Sequence, residues 1–439
     1  MSSNNIRFVV YPGGSLNGDL RVPGDKSISH RAIMLGSLAE GTTQVSGFLE
    51  GEDSLATLKA FRALGVEIDG PEAGRVLIHG VGMHGLKAPQ GPLDLGNSGT
   101  SIRLMAGLLA GQDFDVEMVG DASLSKRPMR RGTEPLALMG ANIDTAAGGT
   151  PPLYLHGGAR LKGIDYTLPM ASAQVKSCLL LAGLYAAGET RVTEPAPTRD
   201  HTERMLQGFG YHVLRDGATA CLSGGGRLSA TAIDVPADIS SAAFFMVGAA
   251  IAENADILLE HVGVNPTRTG VIDILRLMGA NIEVLHEHEV GGEPVADIRV
   301  RSSALKGVRI PEEWVPLAID EFPALFVAAA CATGETVLSG AAELRVKESD
   351  RIQVMADGLV KMGIKAEATP DGIVIQGGPM QGAEVDAHGD HRIAMSFAMA
   401  ALRARGEVVI NDCANVNTSF PGFVDLAARA GLKISNLDP

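Results

Sequence analysis

The sequence predicts an α/β protein built from six copies of a βαβαββ unit, grouped three and three into two domains. Short, almost wholly apolar helical stretches recur six times at intervals of roughly 65 to 80 residues, each opened by a polar turn. Glycine-rich, hairpin-like stretches precede them, and amphipathic stretches that stop at glycine follow them. No single unit of this kind buries both of its faces, so the copies must pack on one another.

The hairpin-like stretches run from Val10-Tyr11-Pro12-Gly13-Gly14 to Leu20-Arg21-Val22, from Ile78-His79-Gly80 to Leu86, and from Leu155-His156-Gly157-Gly158 to Tyr166-Thr167-Leu168. They recur from Leu222-Ser223-Gly224-Gly225 to Ile233-Asp234-Val235, from Ile298-Arg299-Val300 to Val308-Arg309-Ile310, and from Ile375-Gln376-Gly377-Gly378 to Val385. Glycine clusters between short alternating runs are turn chemistry. The apolar helices open at Gly24-Asp25-Lys26-Ser27, Gly96-Asn97-Ser98-Gly99, Ala171-Ser172-Ala173-Gln174, Ala237-Asp238-Ile239-Ser240, Ile319-Asp320-Glu321-Phe322 and Gly389-Asp390-His391-Arg392. A helix apolar on every side must be surrounded by protein, so polar residues gathered at one end point to chemistry there. The amphipathic helices stop at Gly65, Gly140, Gly210, Gly279, Gly363 and Gly431, each suited to the left-handed residue that closes a last turn.

A chain of 439 residues exceeds the size at which one core keeps growing. The similar turns Val22-Pro23-Gly24-Asp25 and Val235-Pro236-Ala237-Asp238, three repeats apart, are read as the crossings between halves. That places residues 1–22 with 238–439 in one domain and 23–237 in the other, with the cleft between them as the expected binding place.

The apolar fraction is 45% with 4% aromatic residues, and no apolar run reaches membrane-spanning length. Met1 to Phe8 is too short and polar for a secretory signal, so a cytoplasmic protein without membrane association is expected. Cys178, Cys221, Cys331 and Cys413 show no paired ligand spacing and read as buried thiols. A net charge of −14 opposes nonspecific nucleic-acid binding, while a locally basic site would suit a small anionic substrate. His286-Glu287-His288-Glu289 fits an exposed strand end rather than a metal site, and Gly224-Gly225-Gly226 lacks the Lys-Ser or Lys-Thr of a P-loop. None of these patterns argues for a metal site or a nucleotide P-loop.

At the first helix opening, Lys26, Ser27 and Arg31 combine backbone N–H groups, a hydroxyl and two full charges, an arrangement that favours an anion. The alternative is a capped helix with solvated cations. Asn97-Ser98-Gly99-Thr100 is either a tight turn or a place where a ligand approaches the backbone at Gly99. Arg127 lies in a polar loop. Ser172, Gln174 and Lys176 open the third helix and are expected near its mouth, with Arg199 soon after. Asp320 and Glu321 precede Pro323; Asp320 either caps the helix or, among cations, takes a proton from a hydroxyl. Arg345-Val346-Lys347-Glu348-Ser349-Asp350-Arg351, with alternating charges before the amphipathic helix Ile352–Met362, reads by itself as a solvated helix start, while Arg392 puts another cation at an apolar helix mouth.

Taken together, Gly24-Asp25-Lys26-Ser27-Ile28-Ser29-His30-Arg31, Gly96-Asn97-Ser98-Gly99-Thr100, Lys126-Arg127-Pro128-Met129, the Arg345–Arg351 run and Asp390-His391-Arg392 resemble the 5-enolpyruvylshikimate-3-phosphate synthase family of enolpyruvyl transferases. The resemblance spans nearly the whole chain. It implies two inverse α/β-barrel-like domains and transfer of the enolpyruvyl group of phosphoenolpyruvate to the 5-hydroxyl of shikimate 3-phosphate, in the shikimate pathway to aromatic amino acids. Carried over by position, it implies that Lys26, Ser27, Arg31, Ser172, Ala173, Gln174, Arg199, Asp320 and Lys347 surround shikimate 3-phosphate. Lys26, Gly99, Arg127, Gln174, Arg351 and Arg392 would bind phosphoenolpyruvate, and Asp320, Glu348 and Lys26 would move protons. A monomer sensitive to glyphosate through Gly99 is expected.

The chain departs from the family just before the Ser-Phe-Pro turn, where many relatives carry a lysine and this chain reads Asn417-Thr418-Ser419-Phe420-Pro421, so a phosphate contact near Thr418 lacks the usual cation. Leu104 stands where some relatives have proline. The sister transferase acting on UDP-N-acetylglucosamine is expected to carry a cysteine within the stretch corresponding to Asp113–Arg131, and this chain has none. A noncatalytic anion-binding protein on the same scaffold is disfavoured by Asp320 and Glu348, because carboxylates weaken simple anion capture.

Overall fold

The architecture follows from helices that are apolar all round and therefore sit inside, with small sheets outside them. A computed structural model describes residues 6–437 and divides into two compact units. One gathers the described residues up to Pro23 with Pro236–Glu289 and those from Pro294 onward; the other comprises Gly24–Val235 and Val290–Glu293. Each has its own hydrophobic core.

In the Gly24–Val235 unit the helices Lys26–Leu38, Gly99–Leu109 and Ala173–Gly183 form the interior. Around them lie three sheets with one pattern: a parallel edge pair followed by two antiparallel pairings. The first of the three in chain order pairs Ala39–Ser46 with Arg75–Val81 and Arg75–Val81 with Glu67–Glu72. The second joins Leu93–Asp94, Val116–Val119, Thr150–His156 and Asn142–Ala146. The third joins Asp165–Thr167, Glu189–Thr193, Thr219–Ser223 and Leu214–Asp216. The unit closes on itself because Leu228–Ser229 and Ala232–Asp234, at its C-terminal end, supply the parallel partner of Ala39–Ser46.

The other unit is centred on Ile239–Ile251, Phe322–Cys331 and His391–Ala400, whose residues are buried throughout except Cys331. Here the N-terminal stretch makes the closure: Arg7–Gly14 pairs antiparallel with both Val408–Asn411 and Leu432–Leu437, and Asn17–Leu20 pairs parallel with Asp256–Gly263. The middle sheet, Glu335–Leu338, Gly372–Gln376 and Lys365–Thr369, has isolated bridges Lys306–Thr333 and Arg309–Val337 where the others have a parallel edge strand.

Local chemistry sets where the elements begin and end. All six predicted glycine stops adopt positive φ, from +80° at Gly210 to +116° at Gly431, a region that L side chains populate at a cost. Five of the six apolar helices are N-capped by a side chain: Asp25, Ser98, Ser172, Asp238 and Asp390 accept from backbone N–H groups of the first turn. The sixth departs from the pattern. Glu321 occupies the N-cap position of Phe322–Cys331 without making a side-chain cap, and Asp320 is not the cap either. The helix after the Arg345–Arg351 run spans Arg351–Lys361, capped by Asp350.

The helices Gly99–Leu109 and Ala173–Gly183 cross closely because Gly107 has no side chain: a Cβ there would lie 2.0 Å from the Cys178 carbonyl oxygen. Gly107→Ala is therefore expected to lower stability by about 1–3 kcal/mol by forcing the helices apart. Urea unfolding checks this, and an unchanged midpoint would contradict the tight crossing.

Candidate active site

Within the Gly24–Val235 unit, the N-termini of the three central helices carry most of the polar residues singled out in the sequence. Lys26 opens the first helix, and its Nζ lies 3.0 Å from Asp53 Oδ2 on the neighbouring helix Glu52–Ala63. Asp53 was missed; two acids at the start of an amphipathic helix read locally as helix-dipole partners. Ser27, half-buried, presents its carbonyl to Arg31 Nη1 at 2.9 Å. The rest of the Arg31 guanidinium is committed to protein as well: Nε donates to Thr202 Oγ1 at 2.7 Å and Nη2 to Ser177 Oγ at 2.9 Å. Burial draws Arg31 down to about 10, with Glu203 and Asp25 opposing the shift and Arg199 adding to it. Arg31 is thus a tie between three helices, with half-buried Arg199 close enough to be felt.

At the second helix, Gly99 lies against two guanidinium groups, since an added Cβ would be 2.8 Å from both Arg103 Nη1 and Arg127 Nη1. Arg127 donates to Asn97 Oδ1 at 2.6 Å, and Arg103 to Gln174 Oε1 at 2.9 Å and to the Gly99 and Pro128 carbonyls. Gln174 in turn donates to Thr100 Oγ1 at 3.1 Å. Arg103 is a further residue that the sequence reading missed, although its place four residues after Gly99 puts it on the same helix face, one turn on. Ser172 caps the third helix by accepting from Val175 N, and Ala173 begins it.

Lys176 was expected at the mouth of that helix and is instead fully enclosed, with Nζ 2.6 Å from Glu194 Oε1 and 2.9 Å from Glu203 Oε1. It is a structural ion pair. On a helix buried on every side, a position one turn in from the N-terminus has no route to solvent.

In the other unit, the Arg345–Arg351 run is not a solvated helix start. Arg351 is 1% exposed and gathers three carboxylates: Nε donates to Asp390 Oδ2 at 2.9 Å, Nη2 to Glu348 Oε2 at 2.7 Å and Nη1 to Asp320 Oδ1 at 3.2 Å. Burial opposes the charge, but Asp390, Glu348 and Asp320 more than offset it and raise the guanidinium pKa further. Lys347 Nζ stands 4.0 Å from Asp320 and 3.7 Å from Glu343. Asp390 also accepts from Ser349 Oγ and from the backbone N of buried Arg392. Asn417 is exposed, while its neighbour Asn415 donates to the Gly389 carbonyl at 2.7 Å and so ties the turn 414–418 to the opening of the His391–Ala400 helix. Leu104 is buried in its helix.

The remaining signals fall away from these clusters. His286 pairs with Asp297 at 2.8 Å on an exposed strand, and His288 with the His286 carbonyl. All four cysteines are free, and burial pushes Cys178 and Cys413 up to about 12. No helix among the described residues is long and apolar enough to cross a membrane.

Residues 10–426 match the family model for EPSP synthase, 3-phosphoshikimate 1-carboxyvinyltransferase. The chain belongs to the EPSP synthase family. Among EPSP synthases, the 3-phosphoshikimate 1-carboxyvinyltransferase of Methylococcus capsulatus is 70% identical over 434 residues, covering 99% of each chain. That of Nitrosococcus oceani is also 70% identical over 434 residues, covering 99% of this chain and 98% of its own. The EPSP synthase structure from Acinetobacter baumannii aligns with a TM-score of 0.88 at 62% identity, over 98% of this chain and 100% of that one. The mixed α/β fold and membership of a transferase family are therefore those of an EPSP synthase.

One buried network joins the first two helix openings. His30 Nδ1 meets Thr57 Oγ1 at 2.8 Å, Thr57 meets Ser101 Oγ at 2.6 Å, and Ser101 donates to the capping Ser98 Oγ at 2.7 Å. Burial, reinforced by Lys26 and Arg31, holds the His30 pKa well below its ordinary 6.5. Below pH 6.5 the unfolded chain takes up a proton that the folded chain refuses, so stability present above 6.5 is lost as pH falls toward the folded value. The stability difference between wild type and His30→Gln, measured by denaturant unfolding, should narrow below pH 6.5 by up to about 1.4 kcal/mol per unit. A constant difference would show that His30 titrates normally.

Proposed function

We propose that the protein transfers the enolpyruvyl group of phosphoenolpyruvate to the 5-hydroxyl of shikimate 3-phosphate, releasing phosphate, on the route to chorismate and the aromatic amino acids. The observation that supports this best is the pair of carboxylates, Asp320 and Glu348, held on the single buried guanidinium of Arg351 in a chain 70% identical over its length to 3-phosphoshikimate 1-carboxyvinyltransferases. Simple anion capture has no use for two acids there, whereas proton transfer does. In this reading residues 23–237 and residues 1–22 with 238–439 are the two domains, and the protein is a cytoplasmic monomer.

Lys26, Ser27, Arg31, Ser172, the backbone of Ala173, Gln174, Arg199, Asp320 and Lys347 receive shikimate 3-phosphate. Arg31 contributes through its charge and its hold on the Ser27 carbonyl. Lys26, Gly99, Arg127, Gln174, Arg351 and Arg392 receive phosphoenolpyruvate, whose carboxylate and phosphate suit planar guanidinium donors. Asp320 takes the proton of the 5-hydroxyl as that oxygen bonds to C2 of phosphoenolpyruvate, and the C3 methylene gains a proton to give a tetrahedral adduct. Phosphate then leaves C2 with its bonding pair, and loss of a C3 methyl proton restores the double bond. Lys26 and Glu348 serve the proton movements at C3. The chemistry so drawn calls on neither metal nor organic cofactor.

Phosphate release from phosphoenolpyruvate that depends on shikimate 3-phosphate tests the reading, and UDP-N-acetylglucosamine should not substitute. Lys26→Ala, Asp320→Ala and Glu348→Gln are each expected to lower turnover by about 10²- to 10⁴-fold while unfolding near the wild-type midpoint. Near-normal rates in all three would remove the proposed proton-transfer roles. Gly99→Ala places a methyl 2.8 Å from two cationic nitrogens, so one must move. Loss of one charge-assisted contact corresponds to about a 10- to 100-fold rise in KM for phosphoenolpyruvate, together with weaker inhibition by glyphosate. Unchanged values of both would dissociate Gly99 from that ligand.

A further inference from the structure

Among the six helix openings, the one carrying Asp320 breaks the rule the other five obey. The N-cap residue of Phe322–Cys331 is Glu321, and its carboxylate makes no cap. It is turned instead to Ser240 Oγ in the first turn of Ile239–Ile251, which donates to Glu321 Oε1. Ser240 Oγ in turn receives Arg268 Nη2 at 2.7 Å, and the same nitrogen reaches Asp238 Oδ1 at 3.0 Å. Asp238 caps Ile239–Ile251 through Ser240 N at 2.8 Å. The four side chains belong to residues between 2% and 5% exposed, so these bonds are shielded from bulk water.

This network is a separate cluster from the three carboxylates on Arg351, but it touches that cluster through one covalent step, since Glu321 follows Asp320. The backbone on either side of Glu321 is anchored too: its N–H donates to Ala318 O at 3.0 Å and its carbonyl accepts from Leu325 N at 3.0 Å. A local cap would fix only the helix start. A carboxylate held by a hydroxyl from another segment, itself held by the Arg268 guanidinium, fixes the turn against the Ile239–Ile251 helix, and with it the direction in which Asp320 leaves the chain. Local rules broken in favour of a long-range contact are expected where a site demands geometry, and displacement of a reacting group by about 1 Å costs on the order of 10²-fold in rate.

We propose that Glu321, Ser240 and Arg268, with Asp238, are positioning residues that aim the Asp320 carboxylate at Arg351 and at the reacting hydroxyl. None of them touches the reacting atoms. The proposal rests on the reading of Asp320 as the base, and its test separates the two.

The test compares Glu321→Ala, Glu321→Gln and Arg268→Met in crystal structures without ligand and in steady-state kinetics, after unfolding curves establish which variants are folded. Glu321→Ala and Arg268→Met should lower kcat by about 10- to 100-fold, with KM for phosphoenolpyruvate within about twofold of wild type. In both structures Asp320 should have left Arg351. Glu321→Gln keeps an oxygen that can accept from Ser240 and should recover most of the loss in kcat and restore the Asp320–Arg351 contact, which a general loss of stability would not do. Asp320 unmoved and kcat unchanged in Glu321→Ala would overturn the proposal, as would Glu321→Gln behaving like Glu321→Ala. If Arg268→Met does not fold, the two Glu321 variants decide the matter. Should wild type show no turnover of phosphoenolpyruvate while Asp320 still moves in Glu321→Ala, the positioning network stands and the functional reading falls.

Discussion

A helix buried on every side leaves only its two ends for polar chemistry, and the N-terminal end must satisfy backbone N–H groups that have no partner within the helix. Every central helix of this protein meets that constraint with polar residues in the turn before it, and five of the six meet it with a side-chain cap. The caps do more than close helices. Ser98 is the end of the hydroxyl chain from His30, Asp390 is a ligand of Arg351, and Asp238 is a ligand of Arg268. Groups that stabilise the fold are therefore the same groups that fix the charged clusters.

Two buried cations show how similar charge clusters can differ in their access to solvent. Lys176 and Arg351 both sit among more than one carboxylate, the arrangement needed to offset desolvation of a charge. The side chains of Glu194 and Glu203 around Lys176 are each 2% exposed, so that cluster is sealed. Around Arg351, Asp390 is sealed in the same way, but Asp320 is 15% and Glu348 20% exposed. One side of the Arg351 cluster is anchored in the core while two of its acids remain reachable. Accessibility, rather than residue type, is what differs between the acids around these two cations.

Much of the architecture was legible because it rests on local physics. Glycine at the end of an amphipathic stretch, a polar turn before an apolar run, and their sixfold recurrence each concern residues a few positions apart. The readings that changed concern distant partners. Lys176 looked like a mouth residue because its neighbours Ser172 and Gln174 are, but Glu194 and Glu203 enclose it. The Arg345–Arg351 run looked solvated because its charges alternate, but Asp390, 39 residues on, takes the last arginine inside. Asp53 and Arg103 escaped notice because an acid in a first turn and an arginine near a glycine turn are ordinary alone; their contacts with Lys26 and with Gln174 form only on folding.

The amino-acid order by itself determined the number of repeats, the helix starts and stops, and membership of the EPSP synthase family, since each is carried by short contiguous patterns. Tertiary structure alone decided which carboxylate meets which cation, that Arg31 is a tie between helices, and that Glu321 abandons its helix for Ser240. These depend on how closely separate helices cross, as at Gly107 against Cys178, and on what burial does to a charge once water is gone. Neither quantity has a signature within a few residues of chain, because both arise from surfaces that come together only on folding.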